Sequence, residues 1–90
     1  MEREKRRLRY RATKRGMREL DLLIGGFAAA RIDRMEPHEL GVFAQILELD
    51  EPLLERILTN KISPDSLDPE LAAMLQSIID WAAIEPPFQP

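Results

Sequence analysis

Apolar residues recur along this chain at intervals of three and four, and no stretch alternates convincingly between apolar and polar. Leu20, Leu23, Ile24 and Phe27 follow that spacing, as do Leu40, Phe43 and Leu47 with Ile46 beside them, and Leu71, Leu75, Ile78 and Ala82. Residues three and four apart share one face of an α-helix, whereas a half-buried strand needs a period of two. The chain is therefore expected to be all-α. Proline marks where the helices open, because its missing N–H falls on a group that is unpaired in a first turn anyway. Glu36-Pro37 opens a helix over about 37–49, and Asp50-Glu51-Pro52 opens a short one over about 51–59 with Leu53, Leu54, Ile57 and Leu58 inward. Asn60 is the expected stop, residues 60–68 carry turn chemistry, and Asp68-Pro69 caps a last helix over about 69–84. Trp81, near its end, is expected to pack with a half-exposed edge.

Ahead of these lies the most apolar segment, a core helix over about 17–31, with Gly25-Gly26 in its middle. Each glycine costs a helix roughly 1 kcal/mol relative to alanine. The pair therefore points to close approach of another backbone, with a bend as the lesser alternative. The N-terminal helix, about 3–14, is polar and arginine-rich, broken only by Leu8, Tyr10, Ala12 and Thr13, and Arg7, Tyr10 and Lys14 fall on one side of it. So few apolar residues can bury little, so this helix is expected on the surface, or to order fully on binding. Residues 85–90, Glu-Pro-Pro-Phe-Gln-Pro, read as an extended tail. The expected architecture is a small five-helix bundle, a single helical domain over 1–90.

Ninety residues bury only roughly 60–65% of the unfolded surface and leave no room for a deep two-layer substrate cavity. There is no cysteine, which removes disulfides, thiolate metal sites and a cysteine nucleophile together. The longest apolar run is too short to cross a bilayer, and the charged N-terminus lacks the pattern of a signal peptide. Glu2 and Glu4 argue against a mitochondrial presequence, so a cytoplasmic protein without membrane insertion is expected. The net charge of −3 conceals an asymmetry. Residues 1–19 hold nine Lys/Arg against three Asp/Glu, a balance of +6, and residues 20–90 hold four against thirteen, a balance of −9. A basic arm thus adjoins an acidic body. The arm either lies against that body or faces a partner, and the two are compatible.

A catalytic constellation is not evident. His38 is the only histidine and sits in a helix first turn beside Pro37 and Glu39, where exposure or a local hydrogen bond is expected rather than zinc, which needs several ligands. Ser63, Ser66 and Ser77 have no nucleophile motif around them. Glu48, Asp50, Glu51 and Glu55 lack the alternating ligands and mid-loop glycine of a calcium loop, and helix capping and a solvated acidic face explain them. The four glycines form no phosphate-cradling loop. Nucleic-acid binding through the arm is disfavoured by a pI near 5.1 and by a single interleaved aromatic, Tyr10.

What remains is Arg15-Gly16-Met17-Arg18-Glu19, where the arm meets the first strongly amphipathic helix. At helical spacing Arg15, Arg18 and Glu19 project from one side, roughly opposite the Leu20–Phe27 stripe. An intrahelical pair in the order Arg-then-Glu is the poorer orientation. A guanidinium fork beside a residue with no side chain suits a flush contact with a partner backbone or carboxylate. Gly16 reads equally well as a plain junction between two helices.

The stretch Lys14-Arg15-Gly16-Met17-Arg18-Glu19-Leu20-Asp21 resembles the Arg-Gly-x-x-Glu signature of the succinate dehydrogenase flavin assembly factor family. Farther on, Ile46-Leu47-Glu48-Leu49-Asp50-Glu51-Pro52-Leu53-Leu54 is similar to that family's Leu-Leu-Glu-x-Asp-Asp-Pro-Asp-Leu segment, departing from it at Glu51 and Leu53, and again at Arg56, a position often aromatic. The two stand in order at matching separation, and the resemblance covers nearly the whole chain. Gly25-Gly26 is similar to the version found in bacteria related to mitochondria.

The resemblance implies a non-enzymatic, chaperone-like role. The family binds the flavoprotein subunit of succinate dehydrogenase, and in some cases that of fumarate reductase, and promotes the covalent bond between FAD and a histidine of that subunit. The FAD belongs to the partner, and none is expected to be held stably by this chain. Carried onto this sequence, Arg15, Gly16 and Glu19 are the central contacts, with Met17, Arg18 and Asp21 around them and Arg11 and Tyr10 as neighbours on the arm. An interaction module of another kind, such as the antitoxin role attached to this family by name, is the alternative, ahead of nucleic-acid binding.

Overall fold

The computed structural model describes residues 2–13 and 18–84, for residue 18 the backbone alone. All regular structure among them is helical: α1 (Glu2–Thr13), α2 (Arg18–Arg31), a 3-10 turn (Ile32–Arg34), α3 (Pro37–Leu47), α4 (Glu51–Leu58), a second 3-10 turn (Pro64–Ser66) and α5 (Pro69–Ile84). The small all-α bundle expected from the periodicity is what forms. The extended tail expected over 85–90 lies outside the described residues, as do Lys14 and Met17.

Each boundary has a local cause. Pro37 opens α3, where the Glu36 N–H donates to Glu39 Oε1 at 2.9 Å and so satisfies one orphan donor of the first turn. At Asp68 the side-chain Oδ1 accepts from the Glu70 N–H at 2.9 Å while its carbonyl accepts from Ala72 at 2.8 Å, which caps α5. Helix α4 stops at Asn60, in the left-handed region at φ 63°. The Lys61 N–H turns back to the Arg56 carbonyl and the Asn60 N–H to that of Ile57, closing the last turn with the paired bonds of a Schellman motif.

The core gathers around α2. Leu20, Ile24, Phe27 and Ala28 are buried there, in one cluster with Phe43 and Ile46 of α3, Leu54 and Ile57 of α4, and Leu75 and Ile78 of α5. Phe27 sits at the centre of the aromatic contacts, 6.3 Å from Phe43 and 6.0 Å from Trp81, the latter nearly edge-on at 77°. Trp81 is 6% exposed, so the half-exposed edge expected for it is corrected. It belongs to the core, because α5 turns this residue, rather than the half-buried Ala82, toward Phe27.

The arginine-rich α1 is not a loosely laid helix. Leu8 and Ala12, four apart, are both fully buried in the core, and α1 packs more extensively on α2 than on any other element. One leucine and one alanine suffice because the approach is close. A Cβ placed on Gly25 would come within 2.6 Å of Thr13 Cγ2 and 3.5 Å of Thr13 Cα. The close packing read from the glycine pair is therefore real at Gly25, which accepts the last turn of α1.

Candidate docking surface at the seam of α1 and α2

The seam is built by three elements. α1 arrives with its inner row buried, α2 departs from Arg18, and the end of α3 lies beside them, held to α1 through charge. The inner basic residues of α1 are tied to the acidic body. Lys5 Nζ donates to the Asp33 carbonyl at 2.9 Å, Arg9 pairs with the Asp33 carboxylate at 3.6 Å, and Arg11 pairs with Glu48 just past the end of α3. Exposed pairs of this kind each contribute about 0–1 kcal/mol, so they set orientation more than stability. The reading of an arm lying on its own body holds for these three residues.

The outer row differs. Arg3, Arg6, Arg7 and Tyr10 are exposed, Tyr10 to 64%, and among the described residues Arg7 makes only the local pair with Glu4 at 3.0 Å. One helix thus anchors through Leu8, Ala12, Lys5, Arg9 and Arg11 and presents a basic, aromatic-bearing face on its other side.

The residues singled out by sequence divide accordingly. Glu19 lies exposed in the first turn of α2, and its neighbour Leu20 is buried. Asp21 is half-buried and engaged in an interaction within the chain. Tyr10 is exposed, whereas Arg11 is half-buried and pairs with Glu48. Arg15, Gly16 and Met17, and the side chain of Arg18, lie outside the described residues. The acid at Glu19 stands at the positive end of the α2 dipole, which favours a carboxylate there.

Glu48 was not singled out as a site residue by sequence, although it falls inside the second segment, Ile46–Leu54. Its pairing with Arg11 joins the arm to that segment, across 37 positions of sequence. The signal that could have found it was charge: an acid at a helix end in a chain whose basic residues cluster elsewhere.

The remaining chemistry is sparse. His38 is exposed and pairs with Glu70, which with the nearby Glu39 raises its pKa above the ordinary histidine value. Among the described residues no group of three or more His, Asp or Glu is placed to hold a metal ion, and no helix is long and apolar enough to cross a membrane.

The model of a family described as "Flavinator of succinate dehydrogenase" matches residues 6–81, from the middle of α1 to the end of the core in α5. Proteins named FAD assembly factor SdhE are similar to it. That of Legionella pneumophila is 35% identical over 75 residues, covering 83% of this chain and 94% of the relative. That of Yersinia pseudotuberculosis is 39% identical over 67 residues, 74% of each chain. That of Acetobacter pasteurianus is 48% identical over 50 residues, 56% of this chain, and the matched part spans 46% of that relative's length. No solved structure matches the chain. A match that reaches all five helices and the seam establishes that this chain belongs to the family of flavinators of succinate dehydrogenase.

Proposed function

We propose that this chain is a non-catalytic assembly factor that binds the flavoprotein subunit of succinate dehydrogenase and promotes the covalent attachment of FAD to it. The observation that carries the reading is the family match over residues 6–81, taken with an exposed, charged seam inside that span. The chemistry of the new bond belongs to the flavin and to the client's histidine. The chain's own residues bind and orient. Glu19, Tyr10 and the outer arginines of α1 offer charge and an aromatic face to the client, while Leu8, Ala12 and the Arg11–Glu48 pair hold that face at a fixed angle to α2. Arg15 and Gly16 complete the contact through the signature. The FAD is the client's, and this chain holds none of its own. The flavoprotein of fumarate reductase is a second client.

The test is co-expression with a succinate dehydrogenase flavoprotein subunit, with covalent flavin read by fluorescence on a denaturing gel. The expected result is a strong flavin band only when this chain is present. Equal bands with and without it would overturn the reading.

A further inference from the structure

About 20 Å from the seam, at the far end of α2, a groove of about 400 Å³ opens between α2, the first 3-10 turn, α3 and α5. Its floor is apolar: Phe27, Met35 and Val42 are buried there, and Met74 is half-buried beside them. Grooves of roughly 300–1,000 Å³ with an apolar lining and a few placed polar groups are where ligands and short segments bind. Two unbranched methionines let such a floor adapt to the occupant.

The charges at the rim indicate the occupant's chemistry. Residues 20–90 hold four Lys/Arg among thirteen Asp/Glu, yet two of the four, Arg31 and Arg34, line this one groove. No carboxylate pairs with either among the described residues; Arg31 instead lies over the Phe27 ring, 5.9 Å from its centroid. Arg31 and Arg34 are three apart across the start of the 3-10 turn, where such positions nearly eclipse, so their guanidinium groups serve one site. The opposite wall carries His38, paired with Glu70, and Glu39. The cationic wall and the apolar floor match a segment with a carboxylate next to an apolar side chain, and repulsion from Glu39 and Glu70 on the far wall turns that carboxylate toward Arg31 and Arg34.

We infer that this groove is a second docking site, which takes a short segment of the client flavoprotein with an Asp or Glu held by Arg31 and Arg34 and an adjacent apolar side chain on the half-buried Met74 beside Met35. The inference rests on the client proposed above. Two contacts at opposite ends of α2 make the second one intramolecular once the first has formed, so a weak groove contact raises overall affinity and fixes the client's orientation.

The test places the photo-crosslinking residue p-benzoylphenylalanine at Ala73, an exposed lining position outside the charged rim, in the full-length chain. A control chain carries it at Arg56, exposed on α4 and not part of the groove. Each is irradiated with the purified flavoprotein subunit, and the cross-linked peptide is identified by mass spectrometry. Position 73 is expected to capture one client segment with an acid beside an apolar residue, and position 56 to capture it at least tenfold less. Arg31→Gln with Arg34→Gln is expected to cut the yield at least tenfold and to raise the Kd for the subunit several-fold, with an unchanged far-UV spectrum. Arg31→Glu alone, which keeps Arg34, is the second variant should the pair lose its fold. A cross-link only to a second copy of this chain, or a yield indifferent to the arginines, overturns the inference. If covalent flavin forms normally with no cross-link at position 73, the groove falls and the proposed function stands. If the subunit is not bound at all, both fall.

Discussion

Gly25 lies where Thr13 crosses α2, so closely that a Cβ on Gly25 would meet Thr13 Cγ2 at 2.6 Å. The Thr13 hydroxyl donates to the Tyr10 carbonyl at 2.9 Å, which helps hold the methyl group in that direction. The contact fixes how α1 ends against α2, immediately before the signature. Gly25→Ala gains roughly 1 kcal/mol of helix propensity but must displace the threonine. We expect the single variant to be less stable than Thr13→Ala/Gly25→Ala, since removing Cγ2 leaves only ordinary contacts at 3.5–3.6 Å. Urea denaturation of the two single variants and the double variant closes the cycle, with a coupling of about 1 kcal/mol or more expected. Additive effects would show that the contact imposes no strain.

Glu19 separates function from stability. It is exposed in the first turn of α2. Glu19→Ala should shift the melting temperature by less than about 3 °C, as expected of a surface change within about 0.5 kcal/mol. Flavin attachment should fall several-fold in the same variant. Gly16→Arg should abolish attachment, by putting a long cation where the signature has no side chain, while the helical signal persists. Parallel measurement of the melting curve and the flavin band tests both; loss of the fold in either variant would give that residue a structural role.

The Arg11–Glu48 pair predicts a small, recoverable effect. Its side chains are 35% and 69% exposed, so solvent screens the attraction and each single reversal should cost no more than about 1 kcal/mol. Arg11→Glu/Glu48→Arg should recover most of that loss, and the coupling should shrink in 1 M salt. Because the pair orients α1, the single reversals should reduce client affinity more than they reduce stability. Denaturant titration at two salt concentrations, with a binding isotherm for each variant, checks this.

His38 provides a pH readout. Its hydrogen bond to Glu70, the charge of Glu70 and, more weakly, that of Glu39 raise its folded pKa above the unfolded value of about 6.5. A raised histidine pKa stabilises the fold fully below the unfolded value, and the contribution disappears as pH rises through the folded one. Arg31 and Arg34 line the same groove. An NMR titration of the His38 ring should give a pKa above 6.5 that returns toward it in Glu70→Gln. The stability difference between the native chain and Glu70→Gln should be larger at pH 5.5 than at pH 8.

Much of this fold was legible because it depends on short-range rules. Spacing of three and four located the faces of α2, α3 and α5, Pro37 and Asp68-Pro69 located helix starts, and Asn60 located a stop, since each is settled within one or two turns of the chain. The choice of Trp81 over Ala82 as the deep residue was not legible, because it depends on where Phe27 lies across the bundle. Nor was the burial of Leu8 and Ala12 in a helix that is otherwise charged.

The candidate site divides in the same way. By itself the sequence determined an all-helical chain, a basic arm ahead of an acidic body, and the signature from Arg15 to Glu19 that marks the family. Only the tertiary structure decided which basic residues are spent at home. Lys5, Arg9 and Arg11 meet Asp33 and Glu48 across the fold, Tyr10 and the outer arginines remain exposed, and Arg31 and Arg34 converge on one groove. Helix periodicity is local and is written along the chain. The pairing of charges depends on how close α1 can come to α2, which Gly25 permits by lacking a side chain.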